Sequence, residues 1–161
     1  MTGSRLGASA QRVQDALAER GITAKVVELP ASARTSAEAA AAIGCDIREI
    51  AKSLVFRRTD TDEPVLAILS GARRVEEARL AAAVGAPISK ADAAYVRHRL
   101  GFVIGGVPPV GHPTPIATFI DDAILDLAIV WAAAGTPHAV VRLTPSELVA
   151  ATAARVVDIG A

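Results

Sequence analysis

The chain has 161 residues, 52% of them hydrophobic and 21% charged, with 17 basic side chains balancing 17 acidic ones. This is the composition of a globular protein with one core, not of a disordered chain, and zero net charge argues against a protein that coats nucleic acid by charge alone. The most apolar run, AILDLAIVWAAAG, is too short to cross a bilayer and carries Asp126, the N-terminal stretch lacks the apolar segment of a signal peptide, and a lone Cys45 allows no internal disulfide, so a cytoplasmic protein is expected.

In chain order, RLGASAQRVQDALAERG reads as a helix with Leu6, Ala10, Val13, Ala16 and Leu17 on one face and Gly21 at the stop. TAKVVELP is β-branched and closes on Pro30, which predicts a strand. Thr35-Ser36-Ala37-Glu38 is a capping box that opens the helix AEAAAAIG. Asp46 and Glu49 repeat the cap for a short helix over DIREIAKS. KSLVFRRT and PVLAILSG form a hairpin around TDTDEP. VEEARLAAAVG and KADAAYVRHRLG read as two short helices, and GFVIGG and IATFID as strands on either side of a loop. DLAIVWAAAG and HAVVRLT predict a second hairpin, TPSELVAAT a helix with proline at its first position, and RVVDI a last strand. Strands and helices mix without regular βα alternation and without a visible domain break. The expected fold is a single α+β domain over residues 1–161 with a mixed sheet.

Charge is uneven along the chain. Up to residue 120 there are 15 basic and 12 acidic side chains; beyond it there are 2 and 5. Arg57, Arg58, Arg73, Arg74, Arg97 and Arg99 can therefore supply a local basic face, or be ordinary solvated charges. There is no CxxC or HExxH, and His98, His112 and His138 are scattered, which gives no support to a metal site. No GxSxG elbow or Walker loop occurs, and the glycines of GFVIGG lead into prolines instead of a helix, unlike a dinucleotide fingerprint.

The stretch GGVPPVGHPTP places three glycines and four prolines in eleven positions. Glycine permits close backbone approach, and proline fixes φ and removes a donor. Together they make a stiff loop, either a plain corner or one wall of a site with amides at chosen places. A second feature is a lysine opening a strand, Ile50-Ala51-Lys52-Ser53-Leu54-Val55-Phe56. In this order, Lys52 and a loop read as Gly105-x-x-x-Pro109 followed by Gly111-His112 resemble the YbaK-type family of trans-editing aminoacyl-tRNA deacylases, free-standing relatives of the editing domain of bacterial prolyl-tRNA synthetases. Thr35-Ser36, SGARRV and IDDAIL fit the same pattern, so the resemblance spans most of the chain.

The resemblance implies a mixed, partly barrel-like sheet with flanking helices. It also implies hydrolysis of the ester between a wrong amino acid and the terminal ribose of a tRNA, with no metal or cofactor. On it, Lys52, Gly105 and Pro109 are the catalytic candidates, with Gly106, Gly111 and His112 beside them in the loop. Thr35, Ser36, Ile50, Ser70, Gly71 and His112 are the candidate pocket walls, whose small and hydroxylated character suits Ala, Ser, Thr or Cys. The expected partners are the tRNA acceptor end and a synthetase. Ester hydrolysis of this kind needs a positioned water and donors for the oxyanion, which loop amides can supply. A non-catalytic module that holds a nucleotide or aminoacyl end is the alternative. An unrelated small-molecule esterase has no nucleophile–base pair to support it.

Overall fold

The computed structural model describes residues 5–161, so part of the N-terminal stretch read for a leader lies outside the described residues. Helix α1 (Ala8–Glu19) buries Ala10, Val13, Ala16 and Leu17, the spacing of one helical face. It stops where Gly21 takes φ 74°. The amides of Gly21 and Ile22 donate back to the carbonyls of Ala18 and Leu17, a Schellman motif, and Ile22 joins Leu17 in the core.

The remaining elements are β1 (Val26–Glu28), α2 (Ser36–Ile43), β2 (Ile50–Arg58), β3 (Pro64–Ser70), α3 (Glu77–Val84), β4 (Ile88–Lys90), α4 (Ala93–Leu100), β5 (Ala117–Asp121), β6 (Val130–Ala133), β7 (Ala139–Leu143), α5 (Pro145–Thr152) and β8 (Arg155–Val157). The strands join in the order β1-β7-β6-β2-β3-β5-β8, with β4 attached to β2. Pairs β2–β6, β3–β5 and β5–β8 are parallel and the others antiparallel. The fold is thus α+β on a mixed eight-stranded sheet. Reciprocal capping boxes at Thr35/Glu38 and Thr144/Glu147 start α2 and α5 as the spacing predicts.

Three expectations need correction. Asp46 and Glu49 do cap each other, but over one 3-10 turn, Ile47–Glu49, not a helix reaching residue 53. Ile50 and Ala51 pair with Trp131 and Ala132 of β6, and Ala51 also pairs with Ser70 of β3, so sheet pairing overrides the local cap. GFVIGG is not a strand. Gly105, at φ 93°, sits in a turn closed by the Gly106 amide on the Val103 carbonyl, which ends any extension. Third, Lys90 ends β4 instead of opening a helix, and α4 starts at Ala93 behind an Asp92 cap; β4 itself and a 3-10 turn at Asp122–Asp126 have no clear signal in the sequence.

Strand β3 is buried on both faces. Leu66 and Ile68 enter a large cluster with α1, while Val65, Ala67 and Leu69 enter a second one with Leu80 of α3. A third cluster, under α2, holds Ala39, Ala40, Ile50 and Val140. On β2, Ile50 belongs to the third cluster and Phe56 to the second. Lys52 lies on the same face between them, where the apolar packing is interrupted.

The outer edge of β2 is divided as well. Strand β6 pairs with Ile50 and Ala51, and β4 with Phe56 to Arg58. From Lys52 to Val55 that edge carries no partner strand. The Ala91 amide reaches the Val55 carbonyl, so odd-numbered residues turn their peptide groups toward this edge, and Ser53 faces the gap.

Candidate active site around Lys52

Two cavities meet at the gap in β2. The smaller, 230 Å³, is lined by the polar Thr35, Ser36, Lys52 and Ser53 and by Ala39, Ile43, Ile50, Trp131 and Val140 of the third apolar cluster. The larger, 510 Å³, has Leu54, Phe56, Val75 and Val96 in its walls and Arg74, Glu77 and Lys90 among its charged residues. Lys52, Ser53, Leu54, Ile104, Gly105 and Val107 line both and form the seam between them.

Lys52 is half-buried, and its Nζ donates to the carbonyl of Arg73. Loss of water around the ammonium, and then the nearby Arg74 charge, push its pKa below the usual lysine value. In the same lining, Gly105 rests on Arg34, the residue before the Thr35 cap of α2. A Cβ there would come within 2.6 Å of Arg34 Cγ and 3.1 Å of the Arg34 backbone. Only glycine combines that approach with a positive φ. Among the described residues, the amides of Gly105 and Val107 donate to no protein acceptor. Ser53 Oγ is buried and has no hydrogen-bond partner either. The residues of the seam therefore include an ammonium, a loop with two uncommitted amides and a hydroxyl without a partner.

Most of the expected basic face is neutralised. Arg57 and Arg99 pair with Asp62, Arg58 with Asp60, and Arg73 with Asp121. Arg74 and Lys90 make no ion pair among the described residues, and both stand on the larger cavity.

Residues 30–151 match the family described as the aminoacyl-tRNA editing domain. The chain belongs to that family. The editing domain is 29% identical over 123 residues to the protein YwhH of Bacillus subtilis (strain 168), whose function is uncharacterised, covering 76% of this chain and 78% of that one. It superimposes on a crystal structure provisionally assigned as a trans-editing enzyme for prolyl-tRNA synthetase, with a TM-score of 0.90 and 47% identity over 98% of this chain and 99% of that chain. A crystal structure of protein APE2540 gives a TM-score of 0.87 and 31% identity, over 93% and 99%.

Within the editing domain, the residues singled out from sequence separate. Lys52, Gly105, Thr35, Ser36 and Ile50 line the smaller cavity. The Thr35 hydroxyl is committed to the amide and carboxylate of Glu38, which leaves Ser36 as the freer hydroxyl. Ser70 and Gly71 stand behind the wall. Ser70 Oγ donates to the Arg48 carbonyl at 2.6 Å, and a Cβ on Gly71 would meet Ser36 Cβ at 2.9 Å. Gly106 packs on the Thr136 backbone, where a Cβ would come within 2.7 Å, and its amide closes the turn. Pro109 is buried in the loop and lines neither cavity.

Gly111 and His112 lie elsewhere, against α1 with Arg12 and Asp15. The His112 ring stands edge-on to Phe102 at 5.6 Å, and neither ring nitrogen has a partner of good geometry. Burial pushes its pKa down to about 4, against a weaker opposing pull from the Pro108 carbonyl. The Cys45 thiol is pushed up, first by burial and then by Glu49, which makes it a poor nucleophile. Trp131 and Ser53 are the site candidates that the sequence reading passed over. Trp131 sits on an alternating apolar strand, where nothing local marks the face that lines a cavity.

Proposed function

We propose that this editing domain hydrolyses the ester between a small amino acid and the terminal ribose of a tRNA. The observation that carries the reading is the seam: a half-buried ammonium and two uncommitted amides where a small, largely apolar chamber meets a larger one bordered by Arg74 and Lys90. The smaller chamber takes the amino-acid side chain. The larger takes the terminal nucleotide, whose phosphate suits the two unpaired cations. Its 510 Å³ lies within the range of about 300–1,000 Å³ usual for ligand pockets.

In the reaction, water adds to the ester carbonyl. The amides of Gly105 and Val107 stabilise the oxyanion, and the stiff loop needs no reorganisation to do so. The bond to the ribose oxygen then breaks, the water's proton ends on that oxygen, and free amino acid and uncharged tRNA leave. Among the described residues, Glu77 is the only carboxylate lining either cavity, and it is exposed. The vicinal ribose hydroxyl is therefore the group best placed to relay the proton, and a substrate lacking it should react much more slowly.

The largely apolar lining of the smaller chamber, and the absence of His112 from it, favour alanine over a hydroxylated side chain. Discrimination against serine by an apolar pocket is on the order of 100-fold at most. The resemblance to a structure provisionally assigned to editing for prolyl-tRNA synthetase makes tRNA-Pro the first tRNA to test, met in the cytoplasm with that synthetase as partner. Purified protein is incubated with Ala-, Ser-, Thr- and Cys-charged tRNA-Pro. Release of alanine well above the uncatalysed rate is expected. No release from these or from other charged tRNAs, with binding retained, would replace the hydrolase by the binding module.

A further inference from the structure

The acceptor that holds Lys52 is itself held from far along the chain. Lys52 Nζ donates to the Arg73 carbonyl. The Arg73 amide closes a turn on the Ser70 carbonyl at 3.0 Å. From that turn the Arg73 side chain crosses to Asp121, where Nε donates to Oδ2 at 2.8 Å. Asp121 is 0% exposed, and its Oδ1 accepts the amides of Ile159 and Gly160, each at 3.1 Å. Arg74 and Ala161 exchange two backbone hydrogen bonds, and the Glu76 amide donates to the Ile159 carbonyl. The junction is tight: a Cβ on Gly160 would lie 2.8 Å from both Arg73 Nε and Asp121 Oδ2.

With Asp121 buried and Arg73 partly exposed, the ion pair contributes little net stability, because desolvation of the carboxylate offsets the attraction. Its geometric effect is larger. Lys52 stands where the apolar packing is interrupted, so few side-chain contacts aim its long, flexible stem. We infer that Asp121 is a positioning residue for Lys52: it fixes Arg73 between β3 and residues 159–161, and the fixed Arg73 carbonyl directs the ammonium at the seam. The inference rests on the deacylase reading for its effect on rate. An ammonium has three donors, so one bond to Arg73 leaves two for substrate. A misplacement of about 1 Å at a reacting group can cost on the order of 100-fold in rate.

Asp121→Asn tests the arm to Arg73. Asparagine keeps the size and one acceptor oxygen for the amides of Ile159 and Gly160, but it turns an NH2 toward Arg73 Nε. A fall in kcat of about 10- to 100-fold is expected, with KM within about 3-fold. In a Lys52→Ala background the same change should cost less than about 2-fold, because its effect runs through Lys52. The alkaline limb of the pH–rate profile should move to lower pH, since the ammonium loses an acceptor that favours its charged form. Leu148→Ala, a core change on the buried face of α5, controls for simple loss of stability and should keep its kcat where it remains folded. Equal losses of rate in both Lys52 backgrounds would overturn the inference.

If Asp121→Asn fails to fold, Gly160→Ala disturbs the same junction from the other side. The 15N signal and pKa of Lys52 Nζ read the relay without any substrate, so an inactive wild type removes the deacylase reading and leaves this measurement standing. A Lys52 signal and pKa unchanged in whichever variant folds would overturn the relay.

Discussion

The glycine–proline loop has two ends with the same local chemistry and different surroundings. At one end Gly105, at φ 93°, leans on Arg34 and turns into the seam beside Lys52. At the other, Gly111, at φ 90°, leans on Val13 of α1, and His112 packs on Phe102. Each end has a positive-φ glycine, and a titratable side chain lies near it. The first end borders the two cavities that meet at Lys52, with an ammonium and uncommitted loop amides in their lining. The second is part of the packing of α1, where an imidazole is held neutral. A glycine at positive φ marks a backbone requirement, and the element opposite it decides whether that requirement serves chemistry or packing.

Changes at four positions would break or sharpen that contrast. The largest effect is expected at Lys52. Lys52→Ala should lower kcat/KM for charged tRNA by about 100-fold or more, comparable to losing one preorganised donor at a developing charge. Lys52→Arg should recover little, because a planar guanidinium cannot reproduce a compact ammonium beside the Arg73 carbonyl. Single-turnover deacylation measures both. Gly105→Ala comes next. The Cβ would meet Arg34 at 2.6 Å, and positive φ adds strain of about 1–3 kcal/mol. A loss of about 10- to 100-fold in kcat with a lower Tm is expected; wild-type kinetics would show that the loop amides do not act.

A smaller effect is expected from Trp131→Ala, which enlarges the apolar chamber. Alanine release should fall modestly, while larger charged residues gain by about 10-fold relative to it, within the range that pocket size alone supplies. A panel of charged tRNAs reads that ratio, and an unchanged ratio would remove the chamber as the side-chain site.

His112→Leu should change kcat by less than about 2-fold, since the ring lies against α1; a large loss would return His112 to the site. Its effect belongs to stability and pH. The folded pKa is about 4 against about 6.5 for a free histidine. The unfolded chain therefore binds this proton first, and the neutral ring's contribution is full above pH 6.5 and is lost as pH falls toward 4. That loss is on the order of 1–3 kcal/mol. Thermal melts between pH 7 and 4 should fall more steeply for wild type than for His112→Leu.

Hydrogen bonds that close within a few residues were readable before the fold. The boxes at Thr35/Glu38 and Thr144/Glu147 and the stop at Gly21 are set by groups within five positions of each other, and the β2–β3 hairpin zips outward from Arg57 and Pro64 across its short turn. So were the two halves of the seam, because a lysine opening a strand and a Gly-x-x-x-Pro loop are local patterns. Where local and distant pairing competed, the distant pairing won, and residues 50–53 became strand despite the Asp46 cap. The edge gap in β2 exists only because β6 and β4, about 80 and 30 residues downstream, stop short of each other on that strand. Likewise, Arg73 meets Asp121 across 48 positions, and Asp121 meets Ile159 across 38. Which side of the sheet received Gly111 and His112 was decided by the packing of α1. Sequence spacing carries short-range geometry, and only the assembled sheet chooses which distant groups come to face one another.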